Sequence, residues 1–112
     1  MAGDDRDAAL LLDMLGCAQE ALLIVKGLTY ERYARDRLRM RALERVLEIV
    51  GEAARHVSQS RKDALSDIPW KLINGQRNAL AHMYGEIDHF QLFRTASEDV
   101  PRLIALLRKV SP

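Results

Sequence analysis

The sequence predicts an all-α protein, a four- to five-helix up-and-down bundle, and three observations carry that prediction. Apolar residues recur three and four apart through two long stretches, the spacing of one helix face. Alanine, leucine, arginine and glutamate dominate while proline and glycine are scarce, at 3 and 6 of 112 residues, which favours helix over sheet. No stretch alternates apolar and polar residues in the manner of a half-buried strand. A chain of 112 residues has room for one modest core, so residues 1–112 are read as a single domain.

The first helix is expected over Asp5–Lys26. Ala8, Leu11, Leu15, Ala18, Leu22 and Val25 form a bundle seam, and Gly27 supplies the left-handed residue that ends it. Asp13, Gln19 and Glu20 interrupt the apolar run, so a core helix is expected rather than a membrane span. Thr29 then N-caps a short turn whose Tyr30 and Tyr33 are read as packing residues. A second long helix follows from about Asp36 to Val57, with Leu43, Val46, Leu47, Val50, Ala53, Ala54 and Val57 on one face. Gly51 lies inside it at a cost of about 1 kcal/mol against alanine, which a close helix crossing there would offset.

"SQSRKDALSD" reads as a polar loop. Pro69 suits a first helical turn, and Trp70 with Ile73 makes a short apolar anchor. A third helix is expected from Gln76 to about Met83, ending at Gly85, after which Asp88 caps the next element. Phe90, Phe93 and Ala96 form one apolar face, and Val100, Leu103, Ile104 and Leu107 another. Pro101 is expected to break this stretch, with a new helix starting near Ser97 to Asp99.

A net charge of +1 gives no bulk argument for nucleic acid. Arginine outnumbers lysine, a bias that a GC-rich genome explains first and that also suits phosphate recognition. Arg37, Arg41 and Arg45 recur every four residues as one positive stripe. The stripe reads equally as an RNA-backbone track or as a solvated face paired with Glu31, Asp36, Glu44 and Glu48. The single cysteine, Cys17, excludes an intramolecular disulfide and reads as a small core residue. Asp4, Asp5, Arg6 and Asp7 are wrong for a secretory signal, so a cytoplasmic location is expected. No cofactor is called for. His56, His82, His89 and Cys17 lack metal-ligand spacing, and no phosphate loop or nucleophilic serine or cysteine motif occurs. His56 and His89 are read as surface or capping residues.

The segment "RNALAHMYGEID", residues 77–88, departs from generic helix. Asn78 and His82 are four apart and share a face, whereas Arg77 lies about 140° from His82 on an ideal helix. Three solutions stand: the arginine bends round, the helix loosens just after His82, or a second copy of the chain completes the site. In the last turn His82 meets the carbonyl end of the helix, which favours its charged form. A histidine base beside a guanidinium suits metal-independent phosphodiester cleavage. The imidazole removes a ribose 2′-hydroxyl proton, and the guanidinium offsets charge developing on the phosphate. The substrate must then be RNA. The bland alternative is a partly exposed helix-end histidine with an arginine nearby by chance.

In these residues the sequence resembles the HepT-like branch of the HEPN ribonucleases, toxins encoded with a minimal nucleotidyltransferase antitoxin. The branch pattern Arg-x-x-x-x-His-x-Tyr is met by Arg77, His82 and Tyr84. "LEIVGEAARHVS", "IPWKLINGQRNALAHMYGEID" and "EDVPRLIALL" follow in the same order over nearly the whole chain. The resemblance implies a HEPN-like bundle that homodimerises with two motifs facing one cleft. It implies His82 as general base, Arg77 as phosphate ligand, and Asn78 orienting the phosphate or the histidine. Tyr84 would be the tyrosine adenylylated by the antitoxin, and the products would carry a 2′,3′-cyclic phosphate and a 5′-hydroxyl. Met83 replaces a glycine often seen there, and Gln76 replaces an apolar residue. Two other readings remain open: a non-catalytic helical dimer that binds a nucleotidyltransferase and positions its substrate, and a histidine phosphotransfer bundle.

Overall fold

A computed structural model describes residues 2–82 and 87–110, with side chains described for residues 5–81 and 87–110. The helices are α1 (Ala2–Val25), α2 (Tyr30–Tyr33), α3 (Arg37–His56), α4 (Gln59–Ala64), α5 (Trp70–His82), α6 (His89–Arg94) and α7 (Val100–Val110), with a π-helical turn over Thr95–Asp99. No strand occurs among the described residues, so the all-α prediction holds. α3 is the central helix: α1 packs along one side of it and α5 against another, while α7 closes on α1.

The boundaries follow from capping chemistry. Thr29, Asp36 and Asp88 each accept a hydrogen bond from the backbone N–H three residues on, as expected. Gly27 has φ +75°, a conformation other residues adopt at a cost, and it follows the end of α1. All seven apolar positions expected of the second long helix and its cap are buried. Tyr30 and Tyr33 pack edge-on or tilted against Phe93, and Tyr30 also meets Phe90, so α2 is pinned to α6 by aromatic contact. Burial pushes the Tyr33 hydroxyl up to about 12. Cys17 is half-buried, and burial likewise raises its thiol.

Four expectations need correction. The buried stripe of α1 is Asp7, Leu11, Met14, Ala18, Ala21 and Val25, with Leu15 and Leu22 only half-buried. α1 is apolar almost all round, so periodicity leaves its rotation undetermined. Asp7 settles it. Its carboxylate accepts from the Ser58 N–H at 3.0 Å and the Ser58 hydroxyl at 2.6 Å, which turns the Asp7 face inward.

The expected polar loop contains α4, because Ser58 also accepts from the Arg61 N–H and so N-caps a turn of helix. The third helix begins at Trp70 rather than Gln76. Gly75 stays within it, since one glycine weakens a helix without ending it. Trp70 anchors the start, its indole N–H donating to the Leu65 carbonyl at 3.1 Å. Lastly, Pro101 does not break the chain into separate helices. The Val100 N–H reaches back five residues to the Thr95 carbonyl, so a π turn absorbs the proline's missing donor and α6 continues into α7. Met83, Gly85 and the expected helix stop lie outside the described residues.

The Asp7 contact makes stability pH-dependent. The Ser58 hydroxyl, then its N–H, hold the Asp7 carboxyl below its ordinary value of 3.8. A depressed folded-state value means the contribution is complete above that ordinary value and is lost as pH falls below it. Melting temperature is therefore expected to fall on acidification below about pH 4, and Asp7→Asn to flatten that fall while lowering stability at neutral pH. An unchanged acid limb in the variant would refute this.

Candidate functional site

The candidate site forms where α5 crosses α3. A side-chain carbon built on Gly51 would overlap the Cβ of Arg77 and lie 2.7 Å from its Cγ, so the two backbones approach as closely as a missing Cβ allows. That is the close crossing expected of Gly51. It lays the stem of Arg77 flat on α3, leaving the side chain 18% exposed.

The guanidinium is held at two corners. Its Nη2 lies 2.9 Å from Oε2 of Glu52, and its Nη1 donates to Oδ1 of Asn78 at 3.1 Å. Glu52 is held in turn, its Oε1 lying 3.2 Å from Nε2 of His56 one turn along α3. That contact, ahead of the Arg77 charge, keeps the Glu52 carboxyl below the ordinary carboxylate range. The Nε of Arg77 is buried with no partner among the described residues. A guanidinium carries five N–H donors, and among the described residues only Nη1 makes a hydrogen bond, to Asn78, so each Nη keeps a donor without a hydrogen-bond partner there, as a bidentate phosphate requires.

Arg77 and Asn78 are thus brought together, with Asn78 accepting from the arginine. His82 is the last residue of α5, and its side chain lies outside the described residues, as does all of Tyr84. The helix is regular from Arg77 to His82, so these positions are separated by about 7.5 Å of rise and about 140° of rotation. Any loosening after His82 falls outside the described residues.

The arginine stripe lies on the exposed side of α3. Arg41 pairs with Glu44 and Arg45 with Glu48, at 3.2 and 3.3 Å. Arg37 is exposed with no ion pair among the described residues. On an ideal helix Arg41, Arg45, Glu52 and His56 fall within about 60° of one another, so stripe and site share one face of α3. His89 opens α6 with Nδ1 3.7 Å from Glu44. Gln76, the departure noted in the sequence, donates to the Thr95 hydroxyl at 3.3 Å and ties α5 to the π turn. The sequence reading passed over Glu52 and took His56 for a surface or capping residue. Their signal was present: Glu52 adjoins the crossing glycine, and His56 lies four residues on.

Residues 14–110 match the family model described as "Ribonuclease HepT-like". The chain belongs to the HepT-like ribonuclease family. Among its relatives, this HepT-like chain is 34% identical over 95 residues to "Putative RNase MJ1380" of Methanocaldococcus jannaschii, covering 85% of this chain and 87% of that one. It is 31% identical over 86 residues to "Putative RNase TTE0752" of Caldanaerobacter subterraneus subsp. tengcongensis, covering 77% of each. It is also 30% identical over 102 residues to "Probable ribonuclease HepT" of Thermococcus cleftensis, covering 88% of this chain and 93% of that one. No solved structure gives a significant match.

Proposed function

We propose that this chain is the toxin of a two-component toxin–antitoxin system, an endoribonuclease that cuts RNA without a metal. The observation that carries this reading, within a ribonuclease family, is Arg77. Its stem lies against Gly51, and among the described residues its fork keeps donors free for a phosphate, five residues before His82 on the same helix. His82 removes the ribose 2′-hydroxyl proton. The 2′-oxygen attacks phosphorus, the P–O5′ bond breaks, and the 5′-oxygen takes up a proton. The products carry a 2′,3′-cyclic phosphate and a 5′-hydroxyl. Arg77 binds the phosphate and offsets the charge that develops on its oxygens.

The chain acts as a homodimer, with Arg77 and His82 of two copies around one cleft. Their angular separation on α5 supports this. RNA lies along the α3 face carrying Arg37, Arg41 and Arg45, whose acidic neighbours leave room for a modest electrostatic contribution. A nucleotidyltransferase antitoxin silences the toxin by adenylylating Tyr84, placing bulk and negative charge where the substrate phosphate would enter. The protein works in the cytoplasm.

His82→Ala is expected to lose RNA cleavage and growth arrest while keeping the dimer. Retained cleavage would end the role of His82 as the general base. A wild-type protein that leaves RNA intact in the absence of its partner would favour the non-catalytic platform.

A further inference from the structure

We propose that Glu52, backed by His56, is a positioning residue that fixes the Arg77 guanidinium for phosphate; the claim deepens the nuclease reading and rests on it. The stem of Arg77 is fixed by Gly51, but its terminal plane can still turn about the last side-chain bonds. A plane that turns offers a bidentate phosphate site only part of the time. The carboxylate 2.9 Å from Nη2 stops that rotation, and Asn78 holds the other corner. Glu52 is itself 44% exposed, and a half-exposed ion pair alone contributes little. The His56 contact at 3.2 Å, from the same face of α3, is what gives the carboxylate one orientation. The three residues therefore form a line from imidazole to carboxylate to guanidinium, and the phosphate is received at the far end. Residues that fix a reacting geometry in this way act through orientation, so removing them lowers turnover more than it weakens binding.

The same contact could instead act as a latch, with Glu52 occupying a fork that phosphate must claim. The two roles have opposite signs. As a positioning residue, Glu52→Ala lowers kcat by roughly 10- to 100-fold with a smaller change in KM. Glu52→Gln restores part of the loss, because its amide oxygen keeps a polar contact beside the Arg77 Nη2. His56→Ala shifts kcat in the same direction by less. Binding of a non-cleavable 2′-O-methyl RNA oligonucleotide is equal or weaker in Glu52→Ala. Unchanged kcat in Glu52→Ala, or tighter binding of that oligonucleotide, overturns the proposal. Unchanged melting temperatures separate these effects from loss of fold.

A second readout does not depend on nuclease activity. In nitrogen-15 spectra the Arg77 Nη groups of the wild-type protein are expected to be distinct and slowly exchanging, and to collapse together in Glu52→Ala. A wild-type Arg77 that already rotates freely overturns the positioning role. If the wild-type protein cuts no RNA, the nuclease reading fails, and these spectra still decide whether Glu52 orders the guanidinium.

Discussion

Gly51→Ala is expected to destabilise the protein by about 1–3 kcal/mol, whereas Gly75→Ala is expected to stabilise it by about 0.5–1 kcal/mol. Both glycines lie inside helices, α3 and α5, and neither has a positive φ. Helix propensity alone would make both substitutions favourable. The surroundings separate them. Among the described residues the new carbon at position 75 meets nothing within 4 Å, while at position 51 it runs into the Cβ and Cγ of Arg77. Those atoms begin a side chain on a packed helix, so α5 must move as a body or tilt away from α3. That movement also shifts the guanidinium, and Gly51→Ala should lose RNA cleavage out of proportion to its loss of stability. For a domain of this size 1 kcal/mol corresponds to roughly 4–8 °C in Tm, so thermal unfolding of both variants resolves the sign. Equal shifts would mean that the helix crossing does not depend on the missing Cβ.

The largest effect on activity is expected at Arg77. Arg77→Lys should lower kcat/KM by roughly 100- to 1000-fold, although the charge is kept. An ammonium has three donors on one atom and no planar fork. It cannot contact Glu52 and Asn78 on two corners and still present two parallel N–H groups to a phosphate. Its shorter reach also withdraws the charge toward Gly51. Single-turnover cleavage of a defined RNA measures the loss. A lysine variant within a few-fold of wild type would reduce the role of Arg77 to general electrostatics and remove the basis for the bidentate geometry.

Much of this was readable from the residues because the signals were local. The apolar face of α3 survives intact because polar residues flank it on both sides and define it, and the caps Thr29, Asp36 and Asp88 act over three residues. The crossing at Gly51 was legible for a different reason: a glycine in a long helix calls for an explanation. What escaped depends on partners distant in sequence. The rotation of α1 is set by Asp7 bonding Ser58, 51 residues away, and α4 owes its start to that same serine. Pro101 looked like a break because proline removes a donor, yet an extra residue in the turn before it accommodates the loss. Glu52 drew no notice and His56 passed for a surface or capping residue, since only the approach of α5 turns their face of α3 into a site. The resemblance to HepT-like ribonucleases named Arg77 and His82 without indicating what holds the arginine.

The account is tested most directly by incubating metal-stripped protein with cellular RNA in the presence of a chelator and identifying the new ends. It predicts fragments with 2′,3′-cyclic phosphate and 5′-hydroxyl termini, and no cut at a position where the 2′-hydroxyl has been replaced by hydrogen. Fragments ending in 5′-phosphate and 3′-hydroxyl, cleavage that appears only when a divalent metal is restored, or cutting at the 2′-deoxy position would contradict it.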